Sequence, residues 1–289
     1  MIRRPPRSTQ GVSSAASDVY KRQSIEFVSS EDIPEIKTEK IKVGVIGAGN
    51  FASSTMFPIL KSFNNDILIN GIVSRKGITA VTAAKEYKIN NIFEDPKDLI
   101  ESDEIDAVFI FSSHDSHSDL ARHAIENGKP VYVEKPLSIT QEGLDQVEES
   151  IFNAEDPKLY LGFNRRKAKS IELLMQHFKN RSEPLSISYR FNVPTLPSDH
   201  WTKIHEVGGG RITGEAVHAI DLVSYITGSL PQSISSTSVI NKEHNKANED
   251  QVALTIIFGD GSTANISYFS EGSSLSVSYT HLTLPTILL

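Results

Sequence analysis

The chain has 289 residues, 38% of them hydrophobic and 22% charged, which is an ordinary composition for one large globular domain or two smaller ones. Its formal net charge of −7 argues against a nucleic-acid partner, which would need a basic surface. The absence of cysteine excludes disulfides and cysteine-ligated zinc, and no apolar run approaches the roughly 20 residues that cross a bilayer. We therefore expect a cytoplasmic protein with no nucleic-acid or membrane partner.

The two ends of the chain differ in composition from the rest. Residues 1–23 are rich in arginine and serine and hold a single acid, which is typical of an organelle transit peptide. The same stretch and the segment 277–289 resemble translated sequencing adapters, and we interpret both as non-native. Residues 24–40 are polar and charged, which predicts a linker. On this interpretation the native chain continues beyond both ends.

Residues 41–165 alternate between short apolar runs and segments with apolar residues at helical spacing. The apolar runs predict strands at 41–46, 67–74, 105–111, 131–134 and 159–163. The segments between them predict helices around 52–63, 80–87, 120–125 and 139–152. Strands that alternate with helices form a parallel sheet through right-handed crossovers, so we expect an α/β, doubly wound domain over 41–165.

The pattern changes after residue 165. A helix is predicted at 170–178, and longer alternating segments predict strands at 185–193, 233–240, 251–258 and 262–269. Gly259-Asp260-Gly261 is typical of a hairpin turn, and an apolar helix at 215–227 is predicted to end at Gly228. Residues 166–276 thus predict a second α/β domain on an open, mainly antiparallel sheet, which we expect to be incomplete.

A glycine-rich turn joins the first predicted strand to the first predicted helix. Gly47 permits the tight turn, and Gly49 lets the backbone approach a pyrophosphate at the helix N-terminus. Ala52 stands at the third position of the motif, an accepted variant. Such a turn can be purely structural, but the β-branched strand before it and the amphipathic helix after it favour a dinucleotide site.

The residues after the second predicted strand bear on the choice of cofactor. An acid at this place would bind the ribose 2′-hydroxyl of NAD. The chain has Ser74-Arg75-Lys76 instead, and a hydroxyl with two cations suits the 2′-phosphate of NADP. The alternative is a solvated turn with two surface bases. We therefore expect NADP or NAD, with a preference for NADP.

Polar residues follow the strand predicted at 105–111, at the carboxyl edge where open α/β sheets bind ligands. Ser112 and Ser113 are candidates to contact the cofactor, and His117 is expected to cap or pack against the following helix. His114 and His117 lack a third metal ligand at matching spacing, so we expect no metal.

Lys135 and His218 are the candidates for proton chemistry. A lysine after the strand at 131–134 can hold a substrate hydroxyl and relay its proton, but the alternative is an exposed lysine paired with Glu134. His218 and Asp221 lie three residues apart in the apolar helix. Either they satisfy each other as a buried pair, or His218 points into a cleft as an acid or base.

Four motifs together resemble a known family. They are VGVIGAGNFA at 43–52, VEKPL at 133–137, GFNRR at 162–166 and GGGRITGEAVHAIDL at 208–222. In this order they resemble the Gfo/Idh/MocA family of NAD(P)-dependent sugar and polyol oxidoreductases, over about 41–268. The inositol-dehydrogenase-like subgroup, often fused to a zinc alcohol-dehydrogenase module, is the most similar.

The resemblance implies a Rossmann domain, an open-sheet domain, a small sugar or polyol substrate between them, and a homo-oligomer. It also implies hydride transfer at a secondary alcohol of a sugar, cyclitol or sugar nucleotide. Lys135 would hold the reacting hydroxyl, and His218 would act as the base in oxidation and the acid in reduction. The expected cofactor contacts are Gly47, Gly49, Asn50, Phe51, Ser74, Arg75, Ser112, Ser113, His114, Glu134, Lys135, Pro136, Asn164 and Arg165. His200 and Trp201 are further candidates to contact the cofactor or the sugar.

The chain departs from the family at one position. Many members place Asp four residues before the histidine, where this chain has Gly214. The adjacent Glu215 is a candidate substitute, but a one-residue offset rotates it by about 100° around an α-helix. If Glu215 does not reach, Lys135 would be the principal proton carrier or activity would be low. Rival hypotheses are a sugar-nucleotide dehydrogenase, a non-catalytic cofactor-binding homologue and an inactive fragment of a larger dehydrogenase.

Overall fold

A computed structural model describes residues 40–241 and 246–270 of the chain. The segments interpreted as non-native, 1–23 and 277–289, lie outside the described residues, as does the predicted linker apart from Lys40. The unit described below begins at Ile41.

The first half is built on a six-stranded sheet. Its strands are β1 (Ile41–Ile46), β2 (Ile67–Val73), β3 (Asn91–Ile92), β4 (Ala107–Ile110), β5 (Val131–Val133) and β6 (Leu159–Leu161). All neighbours are parallel, in the order β3-β2-β1-β4-β5-β6. The strand order reverses between β1 and β4, which is the Rossmann arrangement and places the ligand crevice at the carboxyl ends of these two strands. The predicted parallel sheet is confirmed.

Helices connect these strands. They are α1 (Phe57–Ser62), preceded by a π-helical turn at Ala52–Met56, α2 (Gly77–Tyr87), α3 (Pro96–Glu101), α4 (His117–Glu126) and α5 (Gln141–Asn153). The sequence analysis did not predict α3, which has only six residues. Its start is nevertheless encoded locally, because the Asp95 side chain accepts a hydrogen bond from the Lys97 amide and Pro96 stands at the first helical position.

The second half is built on a four-stranded sheet. Its strands are β7 (Ser186–Asn192), β8 (Pro231–Asn241), β9 (Lys246–Phe258) and β10 (Thr263–Phe269), in the order β7-β10-β9-β8. The pairs β8–β9 and β9–β10 are antiparallel, whereas β10 and β7 are parallel. The predicted mainly antiparallel sheet is therefore confirmed.

Three helices are described in the second half, and the first and the third of them pack into the same core as this sheet. They are α6 (Lys169–His177), α7 (His205–Gly208) and α8 (Val217–Thr227), with a π-helical turn at Ile212–Ala216 before α8. Leu222 and Ile226 of α8 pack into the same core as Ile256 and Ile266 of the sheet. As predicted, α8 ends at Gly228, which has a φ of 64°. In the described part of the chain, no helix has the length and apolar character needed to cross a membrane.

Candidate active site

The glycine turn after β1 has the geometry that a dinucleotide site requires. Gly47 has a φ of +101°, and a Cβ atom there would lie 2.6 Å from the Phe111 backbone, because the ends of β1 and β4 come close at this point. At Gly49, by contrast, a Cβ would meet nothing within 4 Å among the described residues. Asn50 and Phe51 are exposed beside this open space. The turn thus leaves room for a pyrophosphate at the start of the following helix.

The turn after β2 is held by hydroxyl groups and exposes its cations. The hydroxyl oxygens of Ser74 and Thr79 lie 2.8 Å apart, and the Thr79 hydroxyl donates to the Lys76 carbonyl at 2.7 Å. Arg75 and Lys76 are exposed, and Arg75 forms no ion pair with any residue that the structure describes. The Arg75 guanidinium is therefore available to an anion at this turn.

His117 joins two loops at the carboxyl edge of the Rossmann sheet. Its side chain has no exposed surface, and its Nδ1 and Nε2 atoms lie 2.7 Å from the Pro136 carbonyl and 3.1 Å from the Ser112 carbonyl. Burial lowers its pKa. The expected cap or packing against the helix is corrected, because the ring instead holds the loops that carry Ser112 and Lys135.

Lys135 points from the Rossmann half towards the second half. Its Nζ donates to the Gly214 carbonyl at 2.6 Å. Burial lowers the Lys135 pKa, while the Glu215 and Glu134 carboxylates oppose that shift. The alternative of an exposed Glu–Lys pair is wrong, because Glu134 is buried and accepts a hydrogen bond from the Tyr132 hydroxyl at 2.8 Å.

His218 lies near Lys135 and is not paired with Asp221. Both carboxylate oxygens of Asp221 accept hydrogen bonds from the Arg166 guanidinium. The His218 Nδ1 is buried and has no hydrogen-bond partner among the described residues. Of the two alternatives left open by the sequence, the buried pair of His218 and Asp221 is therefore wrong. Burial, followed by the positive charges of Lys135 and Arg165, lowers the His218 pKa to about 3, so the ring is neutral at pH 7.

Glu215 is fixed by residues of the second half. One carboxylate oxygen accepts a hydrogen bond from Arg211 Nη1 at 2.7 Å, and the other accepts from the Tyr268 hydroxyl at 2.9 Å. Glu215 lies in the π-helical turn, so the rotation of about 100° expected for an α-helix does not apply to it. Its charge raises the pKa of Lys135, which makes Glu215 a counter-ion for the lysine.

Arg211 is a site-supporting residue that the sequence analysis missed. Its side chain is only 2% exposed. Besides Glu215, Arg211 Nη2 donates to the Pro194 carbonyl at 3.2 Å, and its Nε lies 3.1 Å from an oxygen of Asp250, which also binds Lys203. The only sequence signal was an arginine directly after three glycines and four residues before Glu215, whereas its other ion-pair partner, Asp250, lies far away in the chain.

Trp201, a predicted candidate to contact the cofactor or the sugar, lies beside His114. It lies in a 3₁₀ turn at Trp201–Lys203, is 40% exposed, and meets the His114 ring edge-on at a centroid distance of 4.7 Å. Gly208 lets the backbone of this turn pack closely against α7, because a Cβ at Gly208 would lie 2.4 Å from the Thr202 Cα.

Asn164 and Arg165 follow β6 in a 3₁₀ turn at Asn164–Lys167. Asn164 is exposed, whereas the Arg165 guanidinium donates to the Tyr189 hydroxyl at 2.8 Å and stacks 4.5 Å from the Phe191 ring centroid. Arg165 thus contacts the second sheet, and a cofactor contact by either residue stays a prediction.

Comparisons with known proteins agree with this architecture. Residues 41–156 match the oxidoreductase family with an NAD-binding Rossmann fold, and residues 182–274 match the GFO/IDH/MocA C-terminal domain. The chain is 26% identical to myo-inositol 2-dehydrogenase of Thermotoga maritima in an alignment of 223 residues that covers 75% of this chain. The alignment spans only 64% of that enzyme, which is less than two thirds of its length.

Solved structures share the fold. The myo-inositol dehydrogenase of Lactobacillus casei, in complex with NAD(H) and myo-inositol, is 22% identical with a TM-score of 0.70, over 80% of this chain and 68% of that one. Levoglucosan dehydrogenase, in complex with NADH and levoglucosan, is 20% identical with a TM-score of 0.72, over 82% and 68%. The chain belongs to the Gfo/Idh/MocA family of oxidoreductases.

Proposed function

We propose that the chain is an NAD(P)-dependent oxidoreductase that transfers hydride at a secondary alcohol of a sugar, cyclitol or sugar nucleotide. The observation that carries the proposal is the contact of Lys135, at the carboxyl edge of the Rossmann sheet, with Gly214, in the turn before His218. Because these groups come from the two halves of the molecule, a substrate beside them would lie next to a cofactor in the crevice. A relative named for inositol oxidation supports the substrate class.

We assign residues 41–165 to the cofactor and 166–276 to the substrate. The open space at Gly49 and the exposed Asn50 and Phe51 support a pyrophosphate there. An oxidised nicotinamide dinucleotide, when bound, supplies the acceptor for the hydride. The other proposed cofactor contacts are Gly47, Ser74, Arg75, Ser112, Ser113, Glu134, Pro136, Asn164 and Arg165.

We propose that Lys135 accepts the proton that the reacting alcohol loses. A neutral lysine amine would accept the proton of the alcohol O–H as the hydride leaves the adjacent carbon, and burial favours the neutral form. His218 has a pKa of about 3 and holds a proton weakly, so we assign it a hydrogen bond to the substrate hydroxyl. The role that the family resemblance implies for His218 thus changes from base to hydrogen-bond acceptor, and Glu215 becomes a positioning counter-ion.

We propose NADP as the preferred cofactor. The exposed Arg75 guanidinium and the Ser74 hydroxyl stand after β2, where the 2′ position of the adenosine ribose lies in a Rossmann crevice. Neither group is a carboxylate, the group that would bind the 2′-hydroxyl of NAD. A guanidinium instead binds phosphate with paired hydrogen bonds.

Replacing Arg75 with aspartate is expected to reverse the cofactor preference. Loss of a charge-assisted hydrogen bond and gain of a repulsive carboxylate should lower the NADPH-to-NADH affinity ratio by about tenfold to a hundredfold. Dissociation constants for both cofactors, measured by binding rather than turnover, check this. The matched control is Lys85→Asp on the exposed face of α2, with the same charge change. An R75D ratio equal to that of K85D contradicts the assignment.

The proposed activity is tested with a panel of cyclitols, sugars and sugar nucleotides. We expect reduction of NADP⁺ or NAD⁺ by at least one free cyclitol or sugar, monitored through the absorbance of the reduced nicotinamide. Such turnover excludes a non-catalytic homologue and an inactive fragment. Turnover with sugar nucleotides alone would favour the sugar-nucleotide dehydrogenase, and cofactor binding without any turnover would overturn the proposal.

We also propose a cytoplasmic homo-oligomer. The acidic, cysteine-free composition supports the compartment. Within the described residues, the side chains of Ala253, Thr255 and Ile257 form an exposed row on β9, which supports self-association through this sheet. Light scattering of the purified chain measures the mass, and a monomer at all concentrations would argue against it.

A further inference from the structure

His114 is held by residues of the second half, although it follows β4 of the Rossmann sheet. Its Nδ1 lies 2.9 Å from the Gly208 carbonyl oxygen, and its ring meets the edge of Trp201 at 4.7 Å. The side chain is only 7% exposed. The ring orientation is therefore fixed by the part of the molecule that we assign to the substrate.

The contact with Gly208 also fixes the tautomer of the imidazole. A carbonyl oxygen only accepts hydrogen bonds, so the proton must reside on Nδ1. Burial, as the largest cause, lowers the His114 pKa to about 4, so the ring carries one proton at neutral pH. The Nε2 atom is then an unprotonated acceptor, and no donor among the described residues is hydrogen-bonded to it.

His114 and Lys135 meet at the same residue. A Cβ atom at Gly214 would lie 3.3 Å from the His114 Cε1, and the Lys135 Nζ donates to the Gly214 carbonyl at 2.6 Å. Because Gly214 has no side chain, nothing from this residue fills the space beside the imidazole. The imidazole and the proposed proton carrier thus both lie beside Gly214.

We propose that His114 binds the substrate, and that its Nε2 accepts a hydrogen bond from the hydroxyl next to the reacting hydroxyl. Lys135 binds the reacting hydroxyl and His114 binds its neighbour, so the site selects vicinal diols over isolated secondary alcohols. The inference rests on the proposed oxidoreductase function, and it assigns His114 to the substrate where the sequence analysis assigned it to the cofactor.

The test uses His114→Asn. The asparagine amide can still donate to the Gly208 carbonyl, as Nδ1 does, but it lacks an atom at the place of Nε2. Wild type should prefer a cyclitol over the analogues that lack one hydroxyl neighbouring the reacting carbon by about a hundredfold or more in kcat/KM. H114N should raise KM for the cyclitol by about tenfold or more and reduce this preference to below about tenfold. If His114 had a purely structural role, H114N would lower kcat/KM by the same factor for the cyclitol and for the deoxy analogues.

Cofactor affinity is the second readout, with His123→Asn on α4 as the matched control, since His123 pairs with Glu101. H114N and H123N should both bind NADPH within about twofold of wild type. A loss of NADPH affinity with an unchanged cyclitol KM would overturn the inference by placing His114 at the cofactor. Equal wild-type turnover of cyclitol and deoxy analogues would overturn it without any variant. If no cyclitol or sugar were turned over at all, the proposed oxidoreductase function itself would be contradicted.

Discussion

Replacing Lys135 with methionine is expected to lower kcat by about 10³-fold or more, because methionine keeps the side-chain length but cannot carry a proton or hold a hydroxyl. The NADPH dissociation constant should stay within about threefold of wild type. Among the described residues, the side-chain hydrogen bond lost is the one to the Gly214 carbonyl, and the methionine can fill the same partly buried space. Steady-state kinetics together with a binding titration measure both quantities.

His218→Gln is the matched variant for the division of roles between the two residues. Glutamine can accept a hydrogen bond but cannot take a proton, so kcat should fall by only about tenfold if His218 serves as an acceptor. An H218Q enzyme as inactive as K135M would mean that His218 is the proton carrier. Lost NADPH binding in K135M would instead contradict the role given to Lys135.

Replacing Arg211 with methionine is expected to reduce the free energy of unfolding by about 3–5 kcal/mol. The variant leaves the Glu215 and Asp250 carboxylates without the guanidinium that lies beside both of them. Lys203 still binds Asp250, and Tyr268 still binds Glu215, so the loss should stay within that range. Urea unfolding, followed by circular dichroism, gives the change from the shift in midpoint.

Arg122→Met provides the comparison at the surface. Arg122 pairs with Glu126 one helical turn away on α4, and both side chains are more than one third exposed. Such a pair contributes little, so R122M should change the free energy of unfolding by less than about 0.5 kcal/mol. Equal changes in the free energy of unfolding for R211M and R122M would show that the ion pairs of Arg211 with Glu215 and Asp250 do not stabilise the second half.

Much of the fold follows from local patterns in the sequence. The β-branched run at 41–46 and the alternating segments of β9 and β10 were predicted from periodicity because each of these strands has a buried face, whereas the described side chains of β8 are mostly exposed. The two-residue β3 and the six-residue α3 were missed because they are too short to show a period. The π-helical turn at Ile212–Ala216 was also missed, since residue spacing does not distinguish it from an α-helix.

The candidate site was harder to predict from the sequence than the fold, because many of its contacts join residues that are distant in the chain. The Glu-Lys-Pro motif identified Lys135, but its contact with Gly214 spans 79 residues. The spacing of His218 and Asp221 suggested a pair, and only the fold shows that Arg166, 55 residues from Asp221, takes that carboxylate. The contacts of Arg211 with Asp250 and of Trp201 with His114 also join distant parts of the chain, so no local pattern could assign those partners.

The parallel pairing of β7 with β10 bears on how the second sheet assembles. The strands β8, β9 and β10 are neighbours in sequence, so their antiparallel pairs close short loops. By contrast, the amide of Leu185, just before β7, bonds to Ser262, 77 residues later. Closing so long a loop costs more chain entropy and slows folding. We infer that β7 joins last, so that during synthesis its partner edge on β10 does not exist until nearly all the described chain has been made.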